Sequence, residues 1–263
     1  MLQKIHDKIE STLRNKGLVK IMYEPWLPPY LSIAVSGFVL GTVTTASLMW
    51  FFLYAIGSIQ SIAWVGLGAY LLFGFVMFHA SEFACAIIFR PHDCSPDSFL
   101  FFHSYAWIIA HACAWLELII RAILYGGGHD QWNIPRIVIG SILCVFFYWF
   151  RVKAMVDCGS NFSFQVETRH RATHELVTSG IYSTLRHPSY FGSFWYFLSV
   201  QIVAGNWVCF VLFFFVLRFF FADRIAGEEE ILESEEFFGE KYTEYKKSSW
   251  IGIPVLNSPP FFA

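Results

Sequence analysis

Apolar residues run along this chain in blocks far longer than a strand or a surface helix requires. From Pro25 to Ser81 there are 57 consecutive residues without an Asp, Glu, Lys or Arg, and Pro188 to Leu217 adds another 30. Roughly 20 apolar residues carry a helix across the hydrocarbon core of a bilayer, so both blocks predict membrane helices. Six spans can be drawn, at about 30–54, 62–89, 99–124, 134–150, 189–204 and 207–222. Gly205 and Asn206 alone separate the last two, which predicts a tight helical hairpin. The first residues follow another pattern. Leu2, Ile5, Ile9 and Leu13 recur three and four apart and so share one stripe of a helix whose other face is basic. That spacing predicts an amphipathic helix lying on an anionic membrane surface.

The chain therefore reads as one all-α, polytopic membrane domain. It comprises an interfacial helix at 1–24, four membrane helices within 25–150, and a region 151–263 that holds membrane helices five and six and polar C-terminal helices. Lys and Arg set the orientation. The amino-terminal segment carries five, the loop read at 151–188 carries five, and the short turns at 57–61 and 205–206 carry none. Six spans put both basic segments and the polar tail on one side, which the positive-inside rule makes cytosolic. The charged residues among the first 20, Asp7 and Glu10 as well as five Lys and Arg, interrupt every apolar core that a cleavable signal peptide would need.

Composition narrows the function. Charged residues make up 14% of the 263 and the formal net charge is −2; a nucleic-acid partner, which needs a basic face, is excluded. Six cysteines show no CxxC spacing and fall mostly in apolar runs, so buried thiols are expected rather than a disulfide framework. No metal site is expected either: the chain has one HxxxH, at His170 and His174, and no HxxHH, too few ligands for a membrane di-iron centre.

Candidate chemistry concentrates in the polar stretch 152–187 and just beyond it. Gly180 predicts a turn. Pro188 fits the first position of a helix, where its missing N–H costs nothing. His187 to Tyr190 then form the amino-terminal end of a membrane helix, with free backbone N–H groups and positive dipole character suited to a carboxylate or phosphate. Beyond the hairpin, Arg224 and Glu228 stand four apart and share a helix face. The hairpin returns the chain to the side it left, so these two approach the level of Arg186 to Tyr190, and a polar pocket at the mouth of a membrane cavity is expected. No GxGxxG follows a strand, so a Rossmann unit is not predicted. His79, Glu82, His103, His111, Glu117 and Arg121 lie within or at the ends of spans, where ionisable groups are costly. They are expected to hold helices together, with Glu117 and Arg121, four apart, able to neutralise each other, or else to line a substrate cavity.

The string Leu176-Val-Thr-Ser-Gly-Ile-Tyr-Ser-Thr-Leu-Arg-His-Pro-Ser-Tyr190, the hairpin after it, Asp223-Arg224, Glu228-Glu229-Glu230 and Phe237 to Lys247 together resemble the isoprenylcysteine carboxyl methyltransferase family. Phe78 to Glu82, Asp97 to Leu100 and Trp115 to Glu117 are also similar to that family's membrane segments. The resemblance implies transfer of a methyl group from S-adenosylmethionine to the C-terminal carboxylate of a prenylated cysteine, on CaaX-processed proteins of the small-GTPase type. It implies an endoplasmic reticulum membrane location with the active site facing the cytosol, and makes 151–263 the cofactor and catalytic region. By residue, it implies cofactor contacts at Glu167, His174, Glu175, Leu176, Val177, Tyr182, His187, Pro188, Ser189, Tyr190 and Glu228, and a substrate-facing, catalytic Arg224.

The residues are consistent with such chemistry. A cysteine α-carboxyl has a pKa of roughly 3.5 and is already ionised at neutral pH, so no general base is required. An arginine fork suits that carboxylate. Two other readings stand beside this one. A phospholipid N-methyltransferase carries similar Arg-His-Pro words but would methylate an amine, for which an acidic or aromatic contact is expected. A non-enzymatic membrane scaffold would bind no cofactor.

Overall fold

The computed structural model describes residues 28–57, 62–89, 91, 94–101, 105–125, 133–162 and 174–254. The expected interfacial helix at 1–24 lies outside the described residues, as do Glu167, His103 and His170. Helix α1 spans Pro29–Ala55. Helix α2, Ile62–Ala69, runs without a break through π-helical turns at Tyr70–Met77 into α3, Phe78–Phe89. There follow α4 (Tyr105–Tyr125), α5 (Asn133–Cys158), α6 (Pro188–Ala204), α7 (Trp207–Leu232) and α8 (Glu240–Ser248). Among the described residues the only extended pairing is a single parallel bridge between Leu185 and Trp250.

Helices occupy all six apolar stretches, and three of them, Pro29–Ala55, Val65–Phe89 and Ile134–Asn161, are by length and composition able to cross a membrane. Three boundaries differ from those drawn on the sequence. A 3₁₀ turn at Pro96–Phe99 precedes α4, which begins only at Tyr105. Helix α7 continues past 222 to Leu232, and α5 continues past 150 to Cys158. The loop read from residue 151 thus starts about two turns later. Its first residues were polar for another reason: Arg151 meets a carboxylate 69 positions away.

Helix α6 is the centre of the molecule, with thirteen of its 17 residues buried. Helix α5 lies close along it because glycine stands at both ends of their contact. A Cβ on Gly140 would come within 2.7 Å of Val203, and one on Gly192 within 2.7 Å of the Arg151 backbone. Without a hydrophobic drive between helices in lipid, such small residues let backbones approach and gain dispersion contacts. The outer faces of α1, α4, α5 and α7 carry exposed Phe38, Phe52, Ile123, Ile142, Val208 and Phe219, an apolar belt that water would penalise and lipid does not.

Ionisable groups inside this apolar frame are answered one by one. Glu82, fully buried on α3, receives Arg151 Nε at 2.5 Å and Nη2 at 2.7 Å, together with the Tyr148 hydroxyl at 3.0 Å. Arg151 also donates to Ser189 Oγ (2.9 Å) and Ser193 Oγ (2.8 Å), one turn apart on α6. One guanidinium therefore ties α3, α5 and the first turns of α6. The opposite end of α6 is capped from outside. Arg121 donates to the carbonyls of Ala204 (3.2 Å) and Gly205, and Arg136 to those of Ile202 (2.8 Å) and Val203. Glu117 accepts the Val208 and Cys209 amides, at 3.0 and 2.7 Å, at the start of α7. The expected Glu117–Arg121 pair is not formed: cations serve a helix C-terminus and the carboxylate serves an N-terminus, as the helix dipole favours.

Candidate active site

The other end of the hairpin is built from the segment before α6, the first turn of α6, the last turns of α7, and α8. His174 to Thr178 carry no regular secondary structure and are held by the Glu175 amide donating to Asn161 Oδ1 at 3.0 Å. Gly180 then turns the chain with φ +61°, and a Cβ there would lie 2.4 Å from the Asp157 carboxylate. That carboxylate accepts the Ile181 amide at 2.8 Å and the Lys153 ammonium, so the turn is pinned to the end of α5. Pro188 opens α6, and His187 at its N-cap offers no side-chain bond to the helix. The Ser189 and Tyr190 amides, at positions where a helix has no internal acceptor, find none among the described residues.

These elements enclose a cleft of about 900 Å³ including its open mouth. His174, Glu175, Leu176 and Val177 line it from the irregular segment and Tyr182 from the turn; His187, Pro188, Ser189 and Tyr190 line it from the start of α6 and Glu228 from α7. Ten residues singled out in the sequence thus border one cavity. Arg224 stands beside it, one turn before Glu228, and reaches it through Tyr190. The Arg224 Nε donates to the Tyr190 hydroxyl at 2.9 Å, and that hydroxyl donates to Glu228 Oε2 at 2.6 Å. The guanidinium carbon also lies 5.6 Å from the centre of the Tyr190 ring, whose face favours a cation.

Beneath this chain of bonds lies a second one, anchored on Glu229. Its Oε1 accepts Arg186 Nε at 2.7 Å and bonds the His187 ring at 3.0 Å, while Oε2 meets Lys246 at 2.8 Å. Burial pushes the Glu229 carboxyl up, but the bonds from His187, Lys246 and Arg186 outweigh it and hold the group well below the usual carboxylate range. Arg186 also donates to the Ser249 carbonyl at 2.6 Å, and its backbone amide to the Trp250 carbonyl at 2.9 Å. The acidic run Glu228 to Glu230, which as a charge run reads as a solvated face, therefore divides. Glu228 meets the cavity, Glu229 turns inward to hold Arg186 and His187 in place, and Glu230 is exposed. The one sequence signal for Glu229 is its position five residues after Arg224, on the side of the helix that returns towards Arg186.

Aromatic walls complete the cleft. Phe237 and Phe238 contact the His174 ring edge-on, at 6.0 and 5.4 Å between centres, and Tyr245 on α8 donates to the Tyr182 carbonyl at 2.5 Å. Tyr242 of α8 also lines the cavity. Neither α8 tyrosine was singled out in the sequence, where the EKYTEYKK run reads as a polar helix.

A model of the isoprenylcysteine carboxyl methyltransferase family matches residues 139–234. The human protein-S-isoprenylcysteine O-methyltransferase is 33% identical over 245 residues, covering 92% of this chain and 81% of the human one. The Saccharomyces cerevisiae protein of the same name is 34% identical over 184 residues, covering 68% and 76% of the two chains. The chain belongs to the isoprenylcysteine carboxyl methyltransferase family. The fold agrees. A solved structure of the eukaryotic intramembrane Ras methyltransferase of this family superposes with a TM-score of 0.77 and 28% identity, over 97% of this chain and 87% of that one. The protein is an all-helical, multi-pass membrane member of the family, and the matched segment carries the α5–α6–α7 frame around the cleft.

Proposed function

We propose that this chain methylates the α-carboxylate of a C-terminal prenylated cysteine, with S-adenosylmethionine as donor, at the cytosolic face of the endoplasmic reticulum membrane. The prenylated ends of small-GTPase-type proteins are its substrates. The six apolar stretches each cross the bilayer, which leaves the cleft, α8 and the amino terminus on the cytosolic side. Residues 25–150 supply the first four membrane helices, and 151–263 the cofactor and catalytic region with the last two.

One observation carries the assignment: Tyr190 joins Arg224 to Glu228 through two hydrogen bonds, so a cation that suits a carboxylate stands one helical turn from a cavity of mixed polarity. The residues around that cavity fit the cofactor. Its zwitterionic end suits the uncapped amides of α6 on one side and the Glu228 carboxylate on the other, and its adenine suits the rings of Tyr182, Phe237 and Phe238. Bound there, S-adenosylmethionine supplies a methyl group on a positively charged sulfur. His174 to Val177, Tyr182, His187 to Tyr190 and Glu228 hold it, with Glu167 as a further contact. Arg224 holds the substrate carboxylate by its fork and orients one oxygen toward that methyl. With the donor held there, its methyl would pass to that oxygen, the O–CH₃ bond forming as the S–CH₃ bond broke and left its electron pair on sulfur. No proton moves, and carboxylate and sulfonium charges vanish together. What the protein must contribute is alignment, worth up to roughly 7–11 kcal/mol in favourable cases.

The lipid tail accounts for the membrane setting. Each buried CH₂ contributes about 0.8 kcal/mol, so a 15- or 20-carbon chain reaches the site from the bilayer while the cofactor enters from water. The decisive measurement is transfer of labelled methyl to N-acetyl-farnesylcysteine by the purified protein. Base-labile label is expected with that compound and none with its des-prenyl control; label on phosphatidylethanolamine instead would overturn the reading.

A further inference from the structure

We infer that Tyr242 is a further cofactor-binding residue, its hydroxyl donating a hydrogen bond to an acceptor atom of bound S-adenosylmethionine; this rests on the methyltransferase reading above. Tyr242 stands on α8, is 2% exposed, and lines the same cavity as Tyr182, His187 and Glu228. Among the described residues its hydroxyl meets no hydrogen-bond partner. A buried donor left unmade costs about 1–3 kcal/mol, and nearly all such groups in folded proteins are paired.

The next tyrosine on α8 shows what the paired alternative looks like. Tyr245, with its ring 5.9 Å from that of Tyr242, donates to the Tyr182 carbonyl and so fastens α8 to the turn before α6. Of two adjacent tyrosines, one is spent on the fold and the other brings a spare donor to the cavity. Burial first, and then the carboxylates of Glu229 and Glu228, push the Tyr242 phenol up from its ordinary range, so it keeps its proton throughout the physiological range. It therefore cannot act as a base, and the reaction needs none, since the substrate carboxylate is already ionised. Its proton stays available to donate. The cofactor brings matching acceptors in its carboxylate, ribose oxygens and adenine nitrogens.

The test compares the full-length, detergent-solubilised protein with Tyr242→Phe and Tyr245→Phe, reading S-adenosylhomocysteine affinity by calorimetry and ligand-free melting temperature. A net hydrogen bond of about 0.5–1.5 kcal/mol predicts roughly two- to ten-fold weaker binding by Tyr242→Phe, with an unchanged or higher ligand-free melting temperature because an unmet donor has been removed. Tyr245→Phe is expected to lower the ligand-free melting temperature instead. Equal affinity of Tyr242→Phe and the parent, or a lowered ligand-free melting temperature in Tyr242→Phe, overturns the inference while leaving the methyltransferase reading intact. Failure of the parent itself to bind S-adenosylhomocysteine overturns both.

Discussion

The two ends of the α6–α7 hairpin treat the same physical problem in opposite ways. At the tip, where α6 ends and α7 begins, the protein answers its own backbone. Arg121 and Arg136 take the last carbonyls of α6, Glu117 takes the first amides of α7, and Asn206 Nδ2 reaches the Ala114 carbonyl at 3.0 Å. At the open end, α6 starts from an uncapped His187, and Tyr242 carries a hydroxyl with no partner among the described residues. Polar groups withdrawn from water are costly unless paired. The tip pairs its helix-end backbone groups and its charges internally, with Asn206 Oδ1 alone of its buried side-chain atoms left without a partner among the described residues; in the proposed reading the open end keeps its donors for a ligand. Charge alone does not separate the two, since both ends carry arginine and glutamate. Saturation does.

The contrast can be broken most severely at Glu82, which anchors the open end through Arg151. Glu82→Ala leaves a buried guanidinium unpaired and should cost about 3–5 kcal/mol of stability, visible as a large fall in melting temperature; replacing Arg151 by Met in the same molecule should restore part of it. Next in size is Arg224→Ala. Loss of a charged, transition-state-aligned contact should lower kcat/KM for a prenylcysteine by about 10²–10³, with S-adenosylhomocysteine affinity much less affected and Arg224→Lys intermediate. Equal losses toward both ligands would remove Arg224 from the substrate side. At the tip, Glu117→Ala should cost about 1 kcal/mol as a lost helix cap and leave S-adenosylhomocysteine affinity as it was, which a ligand-facing residue would not.

The mildest handle is acid. Glu229 is held below its ordinary 4.5, so the unfolded chain takes up a proton there before the folded one does. The stability that Glu229 contributes is complete above about 4.5 and is lost as pH falls further. Melting temperature followed downward from neutral pH should show that decline, and Glu229→Gln should flatten it.

Much of this was legible in the chain because membrane burial is written locally. Charge-free blocks located the helices, Pro188 marked where α6 begins, and Gly180 marked the turn. The Arg224–Glu228 spacing, combined with a hairpin that must return to its starting side, brought the right groups to Tyr190. What escaped were pairings between distant positions. Arg151 looked like a loop residue because its partner, Glu82, lies two helices earlier. Glu117 and Arg121 looked like partners of each other because spacing within one helix is visible and a neighbouring helix end is not. Glu229 and Tyr242 lay in runs whose composition suits open solvent, and only the fold-back of α8 onto α7 buries them.

Helix α7 has one more property that follows from carrying both Arg224 and Glu228 on a single uninterrupted screw. Four residues advance about 6 Å along the axis, and under the proposed roles that interval is the spacing between the substrate contact and the cofactor contact. Side-chain exchanges can be absorbed by neighbours, but adding or deleting one residue between these two would rotate everything after it by about 100° and point the carboxylate away from Tyr190. The pitch of the helix is thus the gauge that sets these two side chains against Tyr190.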